Sequence, residues 1–544
     1  MKKVGFVDIL VKVERKKRVV KMLETPTLLK RLFDLGEIDE EEFKEKTNTY
    51  NEAIREKETL LQSGNEENEK YSKLRLRSYQ KKIVEYAKNF KSFAIFDEPR
   101  LGKTPTVIEL LKEKELLEEK ILIMCPGKVL GNWIKRIEEW GNKKAQKYEG
   151  GEIKSNILVC THKRVRLSLD ELLKWKPTVA TLDEAHVLRN SKGGMQRLTE
   201  KQKAIKGKTG LIPINKSILK IGETAKHRYS LTGTPSVNAP EDIFAILQFI
   251  MPKAFNSFWS FCYYFFKVER NFMGGREIRG YVSKEKEIEL QEILDYCSSN
   301  NKQKEAIPWL IPPKKTVVEL ELDEEQLALE HNLMHNGKIG EHFILNALEQ
   351  ITHYSSIVIN PKILRQIEAK THGVKTEYVL DYIMENNDKN IGIFSTRNEA
   401  IEYLKKLISF EFPSKKIYTI TGKVSHSKSI KTQEEINKKS KKSDIILLGT
   451  IEACKEGISL EGLNKAIIID QNYVASTMIQ IFHRLDATTE EAQKFFGEKE
   501  IIILHVPETI DTIIENAILF KKKTTEVINN YKSFIKKRKG EKNG

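Results

Sequence analysis

The stretch Phe93-Ala94-Ile95-Phe96-Asp97-Glu98-Pro99-Arg100-Leu101-Gly102-Lys103-Thr104 decides the fold. Four apolar residues read as a buried strand, 97–101 as a loop, and Gly102-Lys103-Thr104 as the start of a helix. That order of strand, loop and helix is the context in which a Gly-Lys-Thr triplet forms a phosphate-binding loop. Backbone N–H groups of the loop (Pro99, Arg100, Leu101 and Gly102 are the positions concerned, Pro99 itself having no N–H) and of the helix start would surround phosphates. The Lys103 ammonium would reach the β- and γ-phosphates of a nucleotide, and the Thr104 hydroxyl would ligate Mg²⁺. Pro105 fits the first helical turn, where its missing N–H has no intrahelical partner. A lone Gly-Lys-Thr is common by chance, so a second motif has to support it.

Thr181-Leu182-Asp183-Glu184-Ala185-His186 supplies that support about 80 residues further on. An apolar strand delivers Asp183 and Glu184 to its C-terminal edge, which is where parallel sheets bind nucleotides. Asp183 would hold Mg²⁺, directly or through water, and Glu184 would polarise the attacking water. Two adjacent carboxylates can also be a solvated turn, but their position after a buried strand argues for the site.

Outward from these motifs, short apolar runs alternate with helical segments. One set comprises 93–96, 121–124, 157–160, 179–182 and 229–231; a second comprises 391–394, 417–420, 445–448, 466–469 and 501–504. Continuous apolar strands separated by helices imply parallel sheets covered on both faces, and two sets imply two lobes. The expected fold class is α/β, with tandem parallel-sheet lobes over 73–252 and 373–510. Residues 1–72 read as a small α+β accessory module, with a strand-like stretch at 4–13, helices after it and a polar linker at 63–68. Residues 253–372 read as a helical protrusion or linker, and 511–544 as a closing helix and basic tail. Phe255, Phe258, Trp259, Phe261, Tyr263, Tyr264, Phe265 and Phe266 crowd into the protrusion. They read as its core in preference to a base-stacking platform.

With 544 residues, 40% of them hydrophobic, the chain can bury several cores. No apolar run is long enough to span a bilayer, and the N-terminus lacks a signal-peptide core, so a soluble cytoplasmic protein is expected, in the host's cytoplasm if virus-encoded. Five scattered cysteines form no Cys-x-x-Cys pair, which argues against a zinc ribbon or disulfide framework. The net charge of +16 fits a polyanionic partner such as nucleic acid, though a lysine-rich genome would give the same surplus.

Taken together, the motifs resemble superfamily 2 helicases, specifically the chromatin-remodeller-like (Snf-type) DNA translocases, over about 73–510. Leu76-Arg77-Ser78-Tyr79-Gln80 is similar to their adenine-reading Q motif, with Arg77 and Gln80 at the nucleotide. Cys125-Pro126-Gly127-Lys128-Val129-Leu130-Gly131-Asn132-Trp133 resembles motif Ia, which implies nucleic-acid contacts from Lys128, Asn132 and Trp133. Leu231-Thr232-Gly233-Thr234-Pro235 matches motif III, so Thr232, Gly233 and Thr234 would couple hydrolysis to strand contact; its continuation at 236–242 is typical of the Snf-type branch. Ser395 and Thr396 fall in motif IV, which implies a nucleic-acid or coupling role, and Gly457 in a motif V closest to the annealing-helicase-like subgroup, which implies a place at the nucleotide. Gln480 and Arg484 follow motif VI, which implies a nucleic-acid or coupling role for Gln480 and an arginine, Arg484, that reaches the γ-phosphate. The resemblance implies tandem RecA-like lobes, ATP and Mg²⁺ as cofactors, and duplex DNA as partner, with a protein partner left open.

Two positions depart from the pattern. Arg100 stands where such a loop usually has glycine, and Ala487 stands where motif VI usually has a second arginine. An arginine at the γ-phosphate contributes about 10³–10⁵ in rate, so turnover with Arg484 alone could be weak or depend on a partner. The expected activity is that of a DNA-stimulated ATP hydrolase that tracks along the duplex. The alternatives are an RNA or DNA strand-separating helicase, a nucleotide-gated binding protein, and a motor subunit of a larger restriction or replication assembly.

Other candidates are less specific. His331 and His335 lie four apart with His342 beyond, a spacing that suits zinc but lacks a further ligand. Lys201, Lys203, Lys206, Lys208, Lys216 and Lys220 read equally as a solvated or a DNA-contacting loop. The tail Lys536-Lys537-Arg538-Lys539 reads equally as a basic arm or a solvated end.

Overall fold

The structure, a computed structural model, describes residues 26–34, 38–62, 76–189, 212–235, 240–270, 275–344, 346–438, 444–455, 457–519, 530–531 and 533–535. The strand-like stretch 4–13, the linker 63–68, Lys201 to Lys208, residues 236–239 after motif III, Glu456 of motif V and the basic tail 536–539 lie outside the described residues. The chain divides into two compact units, 1–306 and 307–544.

The first unit is built on the strands β1 (Ser92–Ile95), β2 (Ile121–Cys125), β3 (Gln146–Lys147), β4 (Ile157–Thr161), β5 (Val179–Asp183) and β6 (His227–Leu231). A hairpin, β7 (Phe266–Arg270) with β8 (Arg276–Tyr281), stands apart, and β9 (Ser298–Ser299) returns to the main sheet. The sheet order is β3-β4-β2-β5-β6-β1-β9 and every pairing in it is parallel. Helices on both faces explain why β1 and β2 are buried at every position. All five apolar runs expected in this half are strands, whereas β3 and β9, two residues each and polar, carry no apolar signal.

The segment expected as a helical protrusion is shared between the units. Its aromatic cluster is mostly core: Phe255, Phe258, Phe261, Phe265 and Phe266 are buried in the first unit, while Tyr263 is 54% exposed. The described part of the N-terminal module is two helices, Pro26–Asp34 and Glu40–Gln62. They rest on the helix Lys284–Cys297 through Thr27 Oγ1 donating to Glu292 (3.0 Å) and a Tyr50–Tyr296 ring stack with centroids 5.8 Å apart.

The second unit contains β10 (Lys314–Glu319), a small antiparallel pair, β11 (Lys338–Ile339) and β12 (His342–Phe343), then β13 (Ile391–Ser395), β14 (Lys416–Ile420), β15 (Ile445–Thr450), β16 (Lys465–Ile468) and β17 (Glu500–His505). Its main sheet, β10-β17-β16-β13-β15-β14, is also wholly parallel. The α/β class with two tandem parallel-sheet, RecA-like lobes therefore holds. Among the described residues no helix is long and apolar enough to cross a membrane.

A buried ion pair fastens the closing helix Ile510–Leu519 to the second sheet. Lys375 Nζ donates to Asp511 Oδ2 (2.6 Å) and to the carbonyl of Ile469 (2.7 Å), with its side chain fully buried. Replacing one partner leaves the other charge buried and unpaired. Lys375→Met is therefore expected to destabilise the protein by about 3–5 kcal/mol in urea denaturation; a loss below about 1 kcal/mol would show the pair to be dispensable.

Candidate phosphate-binding and hydrolysis site

Strand β1 ends at the loop because Asp97 is turned inward and Gly102 reverses the chain. Gly102 has φ +70°, and a Cβ there would lie 2.7 Å from Gln80 Nε2, so any other residue at the start of the helix Lys103–Glu113 would be strained and would displace the Gln80 amide. Arg100 also has φ +70°, so the loop does accept a side chain at the position where glycine is usual, at a cost of about 1–3 kcal/mol. Lys103 Nζ folds back on its own loop and donates to the carbonyls of Asp97 (2.8 Å) and Glu98 (3.2 Å).

Gln80 sits behind this loop. Its Nε2 donates to the carbonyls of Leu101 (3.2 Å) and Gly102 (3.0 Å) and lies 3.1 Å from Thr106 Oγ1, while its Oε1 accepts from Arg77 N–H (2.8 Å). Tyr79 adds a hydroxyl bond to the Leu101 carbonyl at 2.7 Å. The amide expected to read a base is thus committed to shaping the loop, and Arg77 is the N-terminal cap of the helix Ser78–Ala87.

Asp183 and Glu184 end β5, on the other side of β6 from the loop. Burial pushes the Asp183 carboxyl up to about 6; the neighbouring Glu184 charge adds to this, while the Trp133 hydrogen bond and the Lys103 charge oppose it. Glu184 has φ +51° and its Oε2 lies 3.1 Å from His186 Nδ1. His162 Nε2 lies 2.9 Å from the Asp183 carbonyl, and burial lowers its pKa to about 4, so it is neutral near pH 7.

Trp133 corrects the sequence reading. It is fully buried, and its indole N–H donates to Asp183 Oδ2 at 2.8 Å. An apolar helix face at Leu130, Trp133 and Ile137 draws the ring inward, so it supports the acidic pair and has no surface for nucleic acid. Asn132 is exposed on the same helix and Lys128 half-buried before it, which leaves these two accessible. Thr232 is buried, its Oγ1 accepting from Thr234 N–H (3.1 Å); it faces the core for the same reason that β6 is buried at its end. Gly233 abuts the phosphate loop, since a Cβ there would lie 3.0 Å from Pro99 Cδ. Motif III thus touches the loop directly. Lys216 is buried within the helix Ile214–Thr224, which removes it from the candidate DNA-contacting loop.

In the second unit, Ser395 Oγ and Thr396 Oγ1 both donate to the Asp470 carboxylate, which also accepts from Thr396 N–H (3.1 Å). These hydroxyls, at the end of β13, are locked by a carboxylate that follows β16, and Ser395 is buried. Arg484 Nε donates to the Lys455 carbonyl (2.7 Å) and Nη1 to that of Ile458 (3.2 Å), bracketing Gly457, whose φ is +75°. Arg484 and Gly457 are therefore brought together. Gln480 is buried, again away from a contact surface, because it lies on the inner side of the helix Ala475–Phe482. Ala487 is buried too, and beside it His483 Nδ1 pairs with Asp486 Oδ2 at 2.6 Å. Among the described residues no group of three or more His, Cys, Asp or Glu could hold a metal; His331 and His335 stack on each other with centroids 4.3 Å apart.

Sequence reasoning missed the contribution of 298–303. Asn301 and Gln303 bond the loop at Asp97, Glu98 and Pro99. Both are ordinary polar residues in a segment without a motif, so nothing in the sequence marks them.

The sequence matches known families. The SNF2-related domain matches residues 79–212 and 214–372, and the helicase conserved C-terminal domain matches 374–486. The chain is 26% identical over 252 residues to the ATP-dependent helicase fft1 of Schizosaccharomyces pombe, covering 43% of this chain and 24% of that protein. It is 28% identical over 184 residues to the human DNA repair and recombination protein RAD54B, covering 30% of this chain and 18% of the other. The chain thus spans less than a quarter of the length of these relatives. A solved Sulfolobus solfataricus SWI2/SNF2 ATPase core in complex with dsDNA is 21% identical, with 85% of this chain and 94% of that one covered and a TM-score of 0.37.

Gly102→Ala forces a Cβ into Gln80 at a left-handed φ, and should reduce nucleotide affinity at least about tenfold in equilibrium binding; unchanged affinity would show that the loop can rearrange. The raised Asp183 pKa means that the metal-free protein gains stability from this group at low pH and loses it as pH rises through about 6. A metal cation at Asp183 would need the ionised carboxylate, so any Mg²⁺ affinity of this position is expected to fall as pH drops below that value. Trp133→Phe removes a donor that favours the carboxylate and should move the break to higher pH. Mg²⁺ affinity that is flat from about pH 5 to 7 would contradict this assignment.

Proposed function

Because the chain belongs to the SNF2-related domain family, we propose that it is an ATP·Mg²⁺ hydrolase that uses each cycle to move along duplex DNA. The observation that carries this reading is the placement of Lys103 and of Asp183-Glu184 at the C-terminal ends of β1 and β5, with motif III on β6 between them. That edge suits the nucleotide: the loop holds an ammonium and a carboxylate stands opposite.

ATP supplies the transferable phosphoryl group, and Mg²⁺ the charge that neutralises it. In the proposed cycle Lys103 leaves the Asp97 and Glu98 carbonyls to bind the β- and γ-phosphates. Thr104 and Asp183 would hold the metal. Glu184 orients the attacking water and takes its proton, with His186 steering the carboxylate. Gly233 against Pro99 transmits a change of loop shape to motif III. Lys128 and Asn132 are the accessible motif Ia positions for the DNA backbone, which predicts binding that weakens steeply with salt and has little sequence preference.

A second reading has its own observation. Arg484 is spent on the carbonyls of Lys455 and Ile458, and Ala487 is buried where the usual second arginine would stand. A nucleotide-gated binder with weak turnover would look the same. The role proposed for Arg484 requires its guanidinium to leave those carbonyls.

ATP hydrolysis measured without nucleic acid and with single-stranded DNA, duplex DNA or RNA separates the readings. The motor predicts strong stimulation by duplex DNA, with Lys103→Ala and Glu184→Gln lowering turnover by about 10² or more. ATP binding without turnover on any nucleic acid would favour the gated binder.

A further inference from the structure

The segment 298–303 belongs to none of the motifs above, yet it contacts the phosphate loop residue by residue. Phe96 N–H donates to the Ser299 carbonyl (2.8 Å) and Glu98 N–H to the Asn301 carbonyl (3.1 Å), extending the sheet beyond the β1–β9 pairing. Asp97 Oδ1 accepts from both Asn301 N–H (3.0 Å) and Asn301 Nδ2 (2.9 Å). The Glu98 carboxylate accepts from Gln303 N–H (2.8 Å), and Gln303 Nε2 donates to the Pro99 carbonyl (3.0 Å).

Asp97 is fully buried, and its Oδ2 has no hydrogen-bond partner among the described residues. A buried carboxylate is costly unless donors face it, and the two donors it has both come from Asn301. Those bonds fix the peptide units whose carbonyls, Asp97 and Glu98, hold Lys103 Nζ. The strap is itself anchored. It continues the helix Lys284–Cys297, where the Tyr296 carbonyl accepts from Tyr86 OH (3.0 Å) and the Glu292 carbonyl from Tyr50 OH (3.2 Å).

We propose that Asn301 and Gln303 are positioning residues for nucleotide binding, acting through Asp97, Glu98 and Pro99 to set the loop conformation that presents Lys103. This rests on the nucleotide reading of the loop. Neither residue touches the reacting atoms; their effect reaches the phosphates through the loop backbone.

The test uses the full chain with Mg²⁺ and a fluorescent non-hydrolysable ATP analogue, without DNA, alongside thermal melting. Asn301→Ala should weaken analogue binding about tenfold, with a melting temperature within a few degrees of wild type. In the Asp97→Ala background the same change should have no further effect, as the two groups act as one pair. Exchanging the partners, Asp97→Asn with Asn301→Asp, should recover part of the affinity that either single change loses, because an amide again faces a carboxylate. Asn301→Ala protein that binds the analogue as wild type does, or whose loss only tracks a fall in melting temperature, would overturn the proposal. Wild-type protein that fails to bind the analogue would overturn the nucleotide reading and this proposal with it.

Discussion

A parallel sheet collects the ends of its strands on one edge, and in the first unit that edge carries a lysine held by two carbonyls of its own loop. An ammonium confined in this way needs the surrounding peptide units to stay fixed. Gln80 holds the loop from behind at Leu101 and Gly102, Gly233 presses on Pro99, and 298–303 fastens Asp97 and Glu98. The tolerance for Arg100 and Gly102 at φ +70° follows, since a conformation of this kind persists only where its surroundings over-determine it. The acidic pair is supported in the same manner. The Trp133 indole, His186 and His162 surround Asp183 and Glu184 with specific contacts, so the charges that would meet the metal and the water are placed by packing.

The second unit repeats the parallel-sheet plan with a different emphasis. Its motif residues bond to one another: Ser395 and Thr396 to Asp470, Arg484 to the turn around Gly457, His483 to Asp486. Groups arranged like this are satisfied in the absence of ligand. Any role for Arg484 at a phosphate therefore involves exchange of one set of acceptors for another, and the missing second arginine makes that exchange more consequential.

The fold was legible because its signal is redundant. All ten apolar runs became strands of two parallel sheets, and all are buried for the reason their composition implies except 417–420, an edge strand that is mostly half-buried. That these two motifs share one edge was legible for the same reason: a strand followed by Gly-Lys-Thr, and another followed by Asp-Glu, end on the same side of a parallel sheet. Direction was harder to read. Trp133, Thr232 and Gln480 lie in motifs whose resemblance suggested nucleic-acid contact, and all three turn inward. Motif position alone does not say which face of a helix or strand a residue occupies. Asn301 and Gln303 were invisible because short polar segments have no periodicity, and their meaning comes wholly from a long-range partner about 200 residues earlier.

The proposed movement along duplex DNA is read by displacement of a triplex-forming oligonucleotide from the duplex. Displacement is expected to require hydrolysable ATP, to continue over duplex lacking any preferred sequence, and to be abolished by Glu184→Gln. Duplex-stimulated ATP hydrolysis with no displacement of the third strand would contradict it.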